Sequence, residues 1–149
     1  MKVLGIDPGY DRCGFAILDG GKLGRMGYFT ASKNKEVSQR IQEIAVDFEE
    51  ILKSEQPDVV SLESLFFAKN STTCLRVAEL RGVLIFLAQK YNVTIAEPSP
   101  TQVKKCFTGN GKASKSDMQR MAKLIFKLQS SPKVDDTVDA IAIAFFANR

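Results

Sequence analysis

Near the beginning of the chain, apolar and polar residues follow the pattern of three β-strands. The predicted strands cover residues 2–7, 13–19 and about 22–30, and a Pro-Gly loop and an Asp-Gly-Gly turn separate them. The first strand is almost continuously apolar, as is typical of a strand in the centre of a sheet. Because Asp-Gly-Gly favours a hairpin, we expect the three strands to be antiparallel neighbours.

Beyond residue 30 the spacing of apolar residues becomes helical. A long amphipathic helix that covers the sheet and ends before Pro57 is predicted by Val37, Ile41, Ile44, Ala45, Phe48, Ile51 and Leu52. A buried fourth strand is predicted at residues 59–63 and a fifth at 93–96. Helices are predicted from about residue 71, with N-cap candidates at 70–72, to 90, and at about 100–107, 114–128 and 136–147.

These elements predict one α/β domain that spans residues 1–149, since a chain of this length suits a single domain. Its core is one mixed, five-stranded sheet with helices on both faces. The helix over residues 71–90 has apolar residues all round, so it needs cover on the side that faces away from the sheet. We therefore expect a two-fold dimer that uses this helix.

Composition excludes several classes of protein. The chain has no histidine, which excludes the usual structural zinc sites and a serine triad with an imidazole base. Its three cysteines are far apart, so no disulfide framework is predicted. The longest apolar run, residues 140–147, is far shorter than the ~20 residues of a membrane span, and Asp7 interrupts any signal peptide. We therefore expect a reduced, cytoplasmic protein with no membrane partner.

Charge is distributed unevenly along the chain, although the net charge is only +4. Residues 1–50 hold seven Lys or Arg and eight Asp or Glu. Residues 101–133, the basic segment, hold eight basic residues and one acid, Asp117. A run of charge is usually a solvated helix face. Segregation as strong as this, within so short a stretch, better suits an anionic polymer as partner.

Four acidic residues form the candidate catalytic and metal-binding set: Asp7, Glu63, Asp136 and Asp139. Asp7 and Glu63 end the first and fourth strands, and open α/β sheets form their sites at the carboxyl ends of strands. Asp136 and Asp139 lie three residues apart on one face of an otherwise apolar helix. Converging carboxylates need a cation to neutralise their repulsion, and all-oxygen ligation suits Mg²⁺ or Mn²⁺. The set therefore predicts a metal-dependent phosphoryl-transfer site.

Each of these features taken alone also has an ordinary explanation. Acids are common at turns and helix ends, and Asp136 fits a simple N-cap of the last helix. Gly109 and Gly111 are typical turn residues, and they would equally allow the backbone of this loop to approach an anionic polymer closely. One of Phe66 and Phe67 fits a core position, whereas an exposed ring there would be available for stacking.

Four blocks of the sequence resemble the RuvC family of bacterial Holliday-junction resolvases. The blocks are GIDPG at residues 5–9 with Gly14, LESLFFAKN at 62–70, VKK at 103–105 followed by TGNGKASK at 108–115, and DTVDAIA at 136–142. They occur in the family's order and cover nearly the whole chain. A lone Ile-Asp-Pro-Gly is a weak signal, because ribonuclease-H-like and actin-like proteins share such strands, but the four blocks together are specific.

The resemblance implies a ribonuclease-H-like fold and a structure-specific DNA endonuclease of the bacterial cytoplasm. Such an enzyme resolves Holliday junctions in recombination and DNA repair by paired nicking of two opposed strands. The implied partners are four-way junction DNA, a second copy of the chain in a homodimer, and a branch-migration helicase complex. The implied cofactor is Mg²⁺, with two ions in each active site and Mn²⁺ as a substitute.

The resemblance also assigns roles to individual residues. The family's catalytic and metal-binding acids correspond to Asp7, Glu63, Asp136 and Asp139. Its basic DNA contacts correspond to Lys104 and Lys115, and its aromatic residue at the junction centre corresponds to Phe66. Because of their place in the basic segment, we expect Lys105 and Lys112 to contact DNA phosphates as well.

Three other interpretations remain open at this point. A ribosomal-RNA-processing nuclease of the YqgF type shares the first-strand motif, but we do not expect the block at residues 66–70 there. An actin-like ATP-binding fragment also begins with a strand that bears an aspartate and a glycine, but the chain has no Walker-type glycine loop. A non-catalytic junction-binding module has no reason to keep all four acids.

Overall fold

The computed structural model describes residues 1–65, 72–128 and 135–148. Within these residues the chain forms, in order, β1 (Lys2–Asp7), β2 (Arg12–Asp19), β3 (Lys22–Thr30), α1 (Val37–Glu55), β4 (Val59–Leu62), α2 (Thr72–Lys90), β5 (Thr94–Ala96), α3 (Pro100–Thr108), α4 (Lys115–Phe126) and α5 (Asp135–Ala147). The predicted alternation of three strands followed by helices and two further strands is confirmed.

The five strands form one mixed sheet in the order β3-β2-β1-β4-β5. β1 pairs antiparallel with β2 and β2 antiparallel with β3, as the Asp-Gly-Gly turn predicts. Gly20 and Gly21 in that turn both have positive φ, which costs a glycine little. β4 and β5 add to the other edge in parallel pairing, so β1 is a central strand.

Helices cover both faces of this sheet, as predicted. Side chains of alternate strand residues point to opposite faces. Leu4 and Ile6 of β1 belong to the core shared with α1 and α2. Val3 of β1 and Ala16 of β2 belong to the cores on the other face. Both cores include residues of α5, and the core around Ala16 also includes residues of α3 and α4.

Two glycines allow α5 to lie unusually close to the sheet. A Cβ atom on Gly5 would overlap the carbonyl oxygen of Ala140 and would lie 2.7 Å from the Cβ of Ala144. A Cβ atom on Gly14 would overlap the carbonyl oxygen of Asp136. The first and second turns of α5 are therefore held directly against β1 and β2, and the buried alanines of α5 fill the space between.

Several element boundaries differ from the predicted ones by one or two residues. β2 begins at Arg12, β4 ends at Leu62, β5 begins at Thr94 and α3 ends at Thr108. At the last helix the difference corrects an interpretation. Because α5 begins at Asp135, Asp136 lies inside the first helical turn and is not an N-cap. The N-cap candidates Asn70 and Ser71 of α2 lie outside the described residues, so they stay predictions.

The limits of α4 have a clear local cause. Ser114 is its N-cap and not its first residue, because the Ser114 side chain accepts a hydrogen bond from the backbone N–H of Asp117. At the other end, Lys127 adopts a left-handed conformation with φ 52°, so the helix ends at Phe126.

The outer side of α2 carries exposed apolar side chains. Leu80, Leu84 and Leu87 pack into the core, whereas Leu75 is 60% exposed and Phe86 is 67% exposed. Within the described residues, no helix combines the length and the apolar character that crossing a membrane requires.

Candidate active site

The parallel pairing of β1 and β4 puts two of the candidate acids at the same edge of the sheet. Ile6 pairs with Leu62, so Asp7 and Glu63 follow on neighbouring strands. The backbone N–H of Glu63 still donates to the carbonyl oxygen of Ile6, at 3.4 Å. This is the carboxyl end of both strands, where parallel sheets commonly form their functional sites.

The first turns of α5 bring the other two acids to this edge. Gly14 pairs with Asp7 in the sheet, and the backbone of Asp136 packs directly on Gly14. Asp139 follows one turn later, on the same side of the helix. Its charge and those of Glu63 and Asp136 all act on Asp7. The close approach that glycine permits is therefore what places the helix acids beside the strand acid.

Burial and like charges both act on Asp7. Removal from water is the main cause that raises its pKa from an ordinary 3.8 to about 8. The carboxylates of Asp139, Glu63 and Asp136 raise the pKa further, in that order, and Lys115 opposes them. At neutral pH this carboxyl group therefore holds a proton in the absence of a neutralising cation.

Glu63 and Asp139 are affected in the same direction. Burial is the main cause that raises the pKa of Glu63 to about 7, and Asp139 adds to it, against Lys104 and Arg81. Burial also raises the pKa of Asp139, and Lys115 is the strongest opposing charge. The site is thus a partly buried cluster of acids whose negative charge is only partly balanced by lysines.

The acids do not form a closed ligand group in this structure. Across residues 1–65, 72–128 and 135–148, no set of three or more acidic or cysteine side chains is arranged to hold a metal ion. Asp136 is engaged elsewhere, because its carboxylate forms an ion pair with the guanidinium of Arg12.

Two lysines of the basic segment lie beside the acids. The charge of Lys104, on α3, acts on Glu63 and Asp139. Lys115, the first residue of α4, forms a 3.1 Å ion pair with Asp135 at the start of α5. A capping box at Ser99 starts α3, and the one at Ser114 starts α4 next to Lys115. Local capping therefore fixes where the two helices that carry these lysines begin.

The remaining residues predicted to contact DNA are placed differently. Lys105 is exposed on α3, and Lys112 is exposed in the loop that follows. Gly109 begins that loop and ends α3 in a left-handed conformation with φ 82°. The structure therefore assigns Gly109 a turn role. Phe66 and Phe67 lie outside the described residues, and their roles stay predictions.

Sequence reasoning missed two arginines next to the acids. Arg12 pairs with Asp136, as described above. Arg81 is buried in α2, where its guanidinium donates to the carbonyl oxygen of Glu63 and pairs with Glu97. The available signal was weak: Arg81 comes just before the apolar residues 83–88 of α2, and a buried arginine needs polar partners.

Comparisons with known proteins agree with one another. The family model described as Crossover junction endodeoxyribonuclease RuvC matches residues 3–146. A protein of that name from Petrotoga mobilis is 39% identical over 97% of this chain and 91% of its own length. One from Thermosipho melanesiensis is 38% identical over 97% of this chain and 95% of its own length.

A solved structure gives the same result for the fold. The structure described as T. thermophilus RuvC in complex with Holliday junction substrate has a TM-score of 0.89 and 27% identity, over 98% of this chain and 92% of that chain. These similarities confirm the ribonuclease-H-like α/β fold and decide against the YqgF-type and actin-like interpretations. The chain belongs to the RuvC family of crossover junction endodeoxyribonucleases.

Proposed function

We propose that this protein is a structure-specific endonuclease that resolves Holliday junctions in recombination and DNA repair, by nicking two opposed strands. Family membership supports this, as does the similarity to a T. thermophilus RuvC solved with a Holliday junction substrate. The observation that carries the proposal is the buried acid cluster around Asp7 with Lys104 and Lys115 beside it. Acids that can hold cations and lysines that can hold phosphates together suit metal-dependent cleavage of a phosphodiester.

The proposed metal ligands are Asp7, Glu63, Asp136 and Asp139. Their chemistry fits a hard divalent cation, because all four offer carboxylate oxygens. The raised pKa values of Asp7 and Glu63 also fit, since a cation would offset the burial that mainly raises them and the neighbouring negative charges that add to it. We infer Mg²⁺, two ions per active site, with Mn²⁺ as a substitute. Ions held by these four carboxylates would supply activation of a water molecule and stabilisation of the negative charge on the phosphate.

The chain's own groups would position the DNA. Lys104 and Lys115 would bind phosphates next to the acids, and Lys105 and Lys112 would extend this contact along α3 and its following loop. Such contacts hold the backbone without reading the sequence. Phe66 would stack on a base at the junction centre.

A homodimer is the proposed assembly. The exposed Leu75 and Phe86 on the outer side of α2 support it, because large exposed apolar residues on one helix face favour association. A two-fold dimer would present two equal active sites to two opposed strands of a four-way junction. By resemblance, we infer a branch-migration helicase complex as a further partner and the bacterial cytoplasm as the location.

A nicking assay tests the proposed function. Four-way, three-way and linear DNA are incubated with the protein, with Mg²⁺ and with EDTA, and nicks are mapped on denaturing gels. We expect nicks in opposed strands of the four-way DNA, only with Mg²⁺. Asp7→Asn is expected to abolish nicking while junction binding survives, whereas Asp19→Asn, at the exposed end of β2, is the control and nicks normally. Equal cutting of linear DNA, or full activity of Asp7→Asn, would overturn the proposal. Binding of four-way DNA without any nicking would favour a non-catalytic junction-binding module.

A further inference from the structure

A groove of about 710 Å³ opens beside the candidate active site and shares a wall with it. It lies between the loop after β1, the end of β3 and the start of α2. Asp136 is the shared residue, since it lines the groove and belongs to the acid cluster. The volume lies in the roughly 300–1,000 Å³ range of ligand sites in proteins. We call this space the β1–β3 groove.

A cation and an aromatic ring stand together in the β1–β3 groove. The guanidinium carbon of Arg12 lies 5.6 Å from the ring centroid of Tyr28, in a cation–π arrangement. Both side chains are accessible, with 46% of the Arg12 side chain and 45% of Tyr28 exposed. A planar guanidinium beside an exposed ring suits a ligand that combines a phosphate with a flat base.

The other charges of the groove do not oppose an anionic ligand. Asp11 is paired with Arg40, whose guanidinium lies 4.8 Å from the ring centroid of Tyr10. Lys33 is exposed at the rim and, among the residues that the structure describes, makes no ion pair. The remaining anion is Asp136, which Arg12 neutralises here. Arg12 holds Asp136 through its Nε–H, which leaves the other N–H groups of the guanidinium to donate to another anion.

We propose that the β1–β3 groove binds a nucleotide of the DNA strand next to the cleaved phosphodiester. The Arg12 guanidinium contacts its phosphate, and the Tyr28 ring stacks against its base. This proposal rests on the proposed nuclease function and adds a substrate contact outside the basic segment. Because every base has a face that can stack, the contact tolerates any sequence.

The phosphate contact is tested with four-way junctions that carry one uncharged methylphosphonate linkage at successive positions around the nick. Binding is measured by fluorescence anisotropy in EDTA, so that no cleavage occurs. For the wild type, we expect one linkage next to the nick to weaken binding by about threefold to tenfold. Arg12→Ala is expected to bind more weakly throughout and to lose its sensitivity at that linkage, since the two changes remove the same contact.

Arg25→Ala is the matched control. Arg25 lies on β3 like Tyr28, but it pairs with Glu55 at 3.1 Å and does not line the groove. This variant loses the same charge and is expected to keep the wild-type sensitivity at every linkage. For the ring, Tyr28→Ala is expected to weaken binding about fivefold or more, and Tyr28→Phe to restore it, since phenylalanine keeps the stacking face.

The outcomes separate the two proposals. A wild-type protein that neither binds nor nicks four-way DNA overturns the proposed function, and the groove assignment with it. A wild type that binds and nicks, combined with an Arg12→Ala protein that keeps its sensitivity at every linkage, overturns the groove assignment alone. Equal losses in Tyr28→Ala and Tyr28→Phe likewise exclude stacking.

Discussion

At the scale of single residues, the protonation of Asp7 follows from its position. The carboxyl group comes at the end of a central strand, next to Glu63 on the neighbouring strand and below the first turns of α5. Burial disfavours its charged form, and three nearby acids disfavour it further. A group in these surroundings stabilises the folded protein only while it is protonated or neutralised by a cation.

Asp7→Asn is therefore expected to stabilise the metal-free protein at high pH. The pKa of Asp7 is about 8 in the folded state against an ordinary 3.8, so the folded form binds its proton more tightly than the unfolded form. That contribution is fully present below about pH 4 and is lost as the pH rises through 8. Asparagine cannot ionise, so in EDTA we expect Asp7→Asn to melt about 2 °C or more above the wild type at pH 8, with little difference at pH 4.

Thermal melts between pH 4 and 8, in EDTA and in Mg²⁺, measure this effect. Mg²⁺ is expected to raise the Tm of the wild type more than that of Asp7→Asn, because binding to the folded state stabilises it. Asp19→Asn controls for the loss of a charge at an exposed site. A clearly less stable Asp7→Asn protein in EDTA, with an undiminished gain from Mg²⁺, contradicts a common metal site for the acids.

The residue scale is also where sequence reasoning was least complete. Asp7 and Glu63 were predictable as neighbours, because strand ends follow from local apolar patterns and parallel strands share an edge. The pairing of Arg12 with Asp136 joins residues 124 positions apart and depends on how close α5 comes to β2. A local sequence pattern does not show how close α5 comes to β2, so the groove beside the acids was not predictable.

At the scale of elements, the period of the apolar pattern was sufficient to identify the strands and helices. It predicted all five strands and the five helices of the described residues, and at α4 the difference in its limits comes from the caps Ser114 and Lys127. The spacing between elements was not predictable from the period. It depends on Gly5 and Gly14, whose missing side chains set the distance between α5 and the sheet.

Gly5→Ala is expected to destabilise the protein by about 1–3 kcal/mol, the usual cost of overpacking a core. The new methyl group would meet backbone atoms of Ala140 and Ala144, which cannot move without shifting α5. Gly24→Ala on β3 is the control, because the nearest atom to the new Cβ would be the carbonyl oxygen of Ile17, at 3.6 Å. That change is expected to be neutral or stabilising, since alanine loses less backbone entropy than glycine. Urea unfolding of both variants measures the difference, and similar stabilities would contradict the close approach of α5.

At the scale of the whole molecule, the two faces of the protein differ in what they leave exposed. One end of the sheet gathers acids, lysines and the β1–β3 groove with its Arg12 and Lys33, a set of charges suited to DNA. The outer side of α2 instead exposes Leu75 and Phe86, which have no use in binding phosphates. A surface of that kind is better explained by a second copy of the chain, because identical copies can pair the same helix about a two-fold axis.

Phe86→Glu is therefore expected to dissociate the proposed dimer, because a charge on each copy would be buried against the other without a partner. Sedimentation equilibrium at micromolar concentration, without DNA, should give a dimer for the wild type and a monomer for this variant. Leu124→Glu is the matched control, since Leu124 is 66% exposed, about as much as Phe86 at 67%, but lies on α4. It is expected to remain dimeric.

The monomeric variant should still bind a four-way junction, but it should lose the coordination of the two nicks, because only a dimer holds two active sites on opposed strands at once. A wild-type monomer, or dissociation by Leu124→Glu and not by Phe86→Glu, would place the association surface elsewhere.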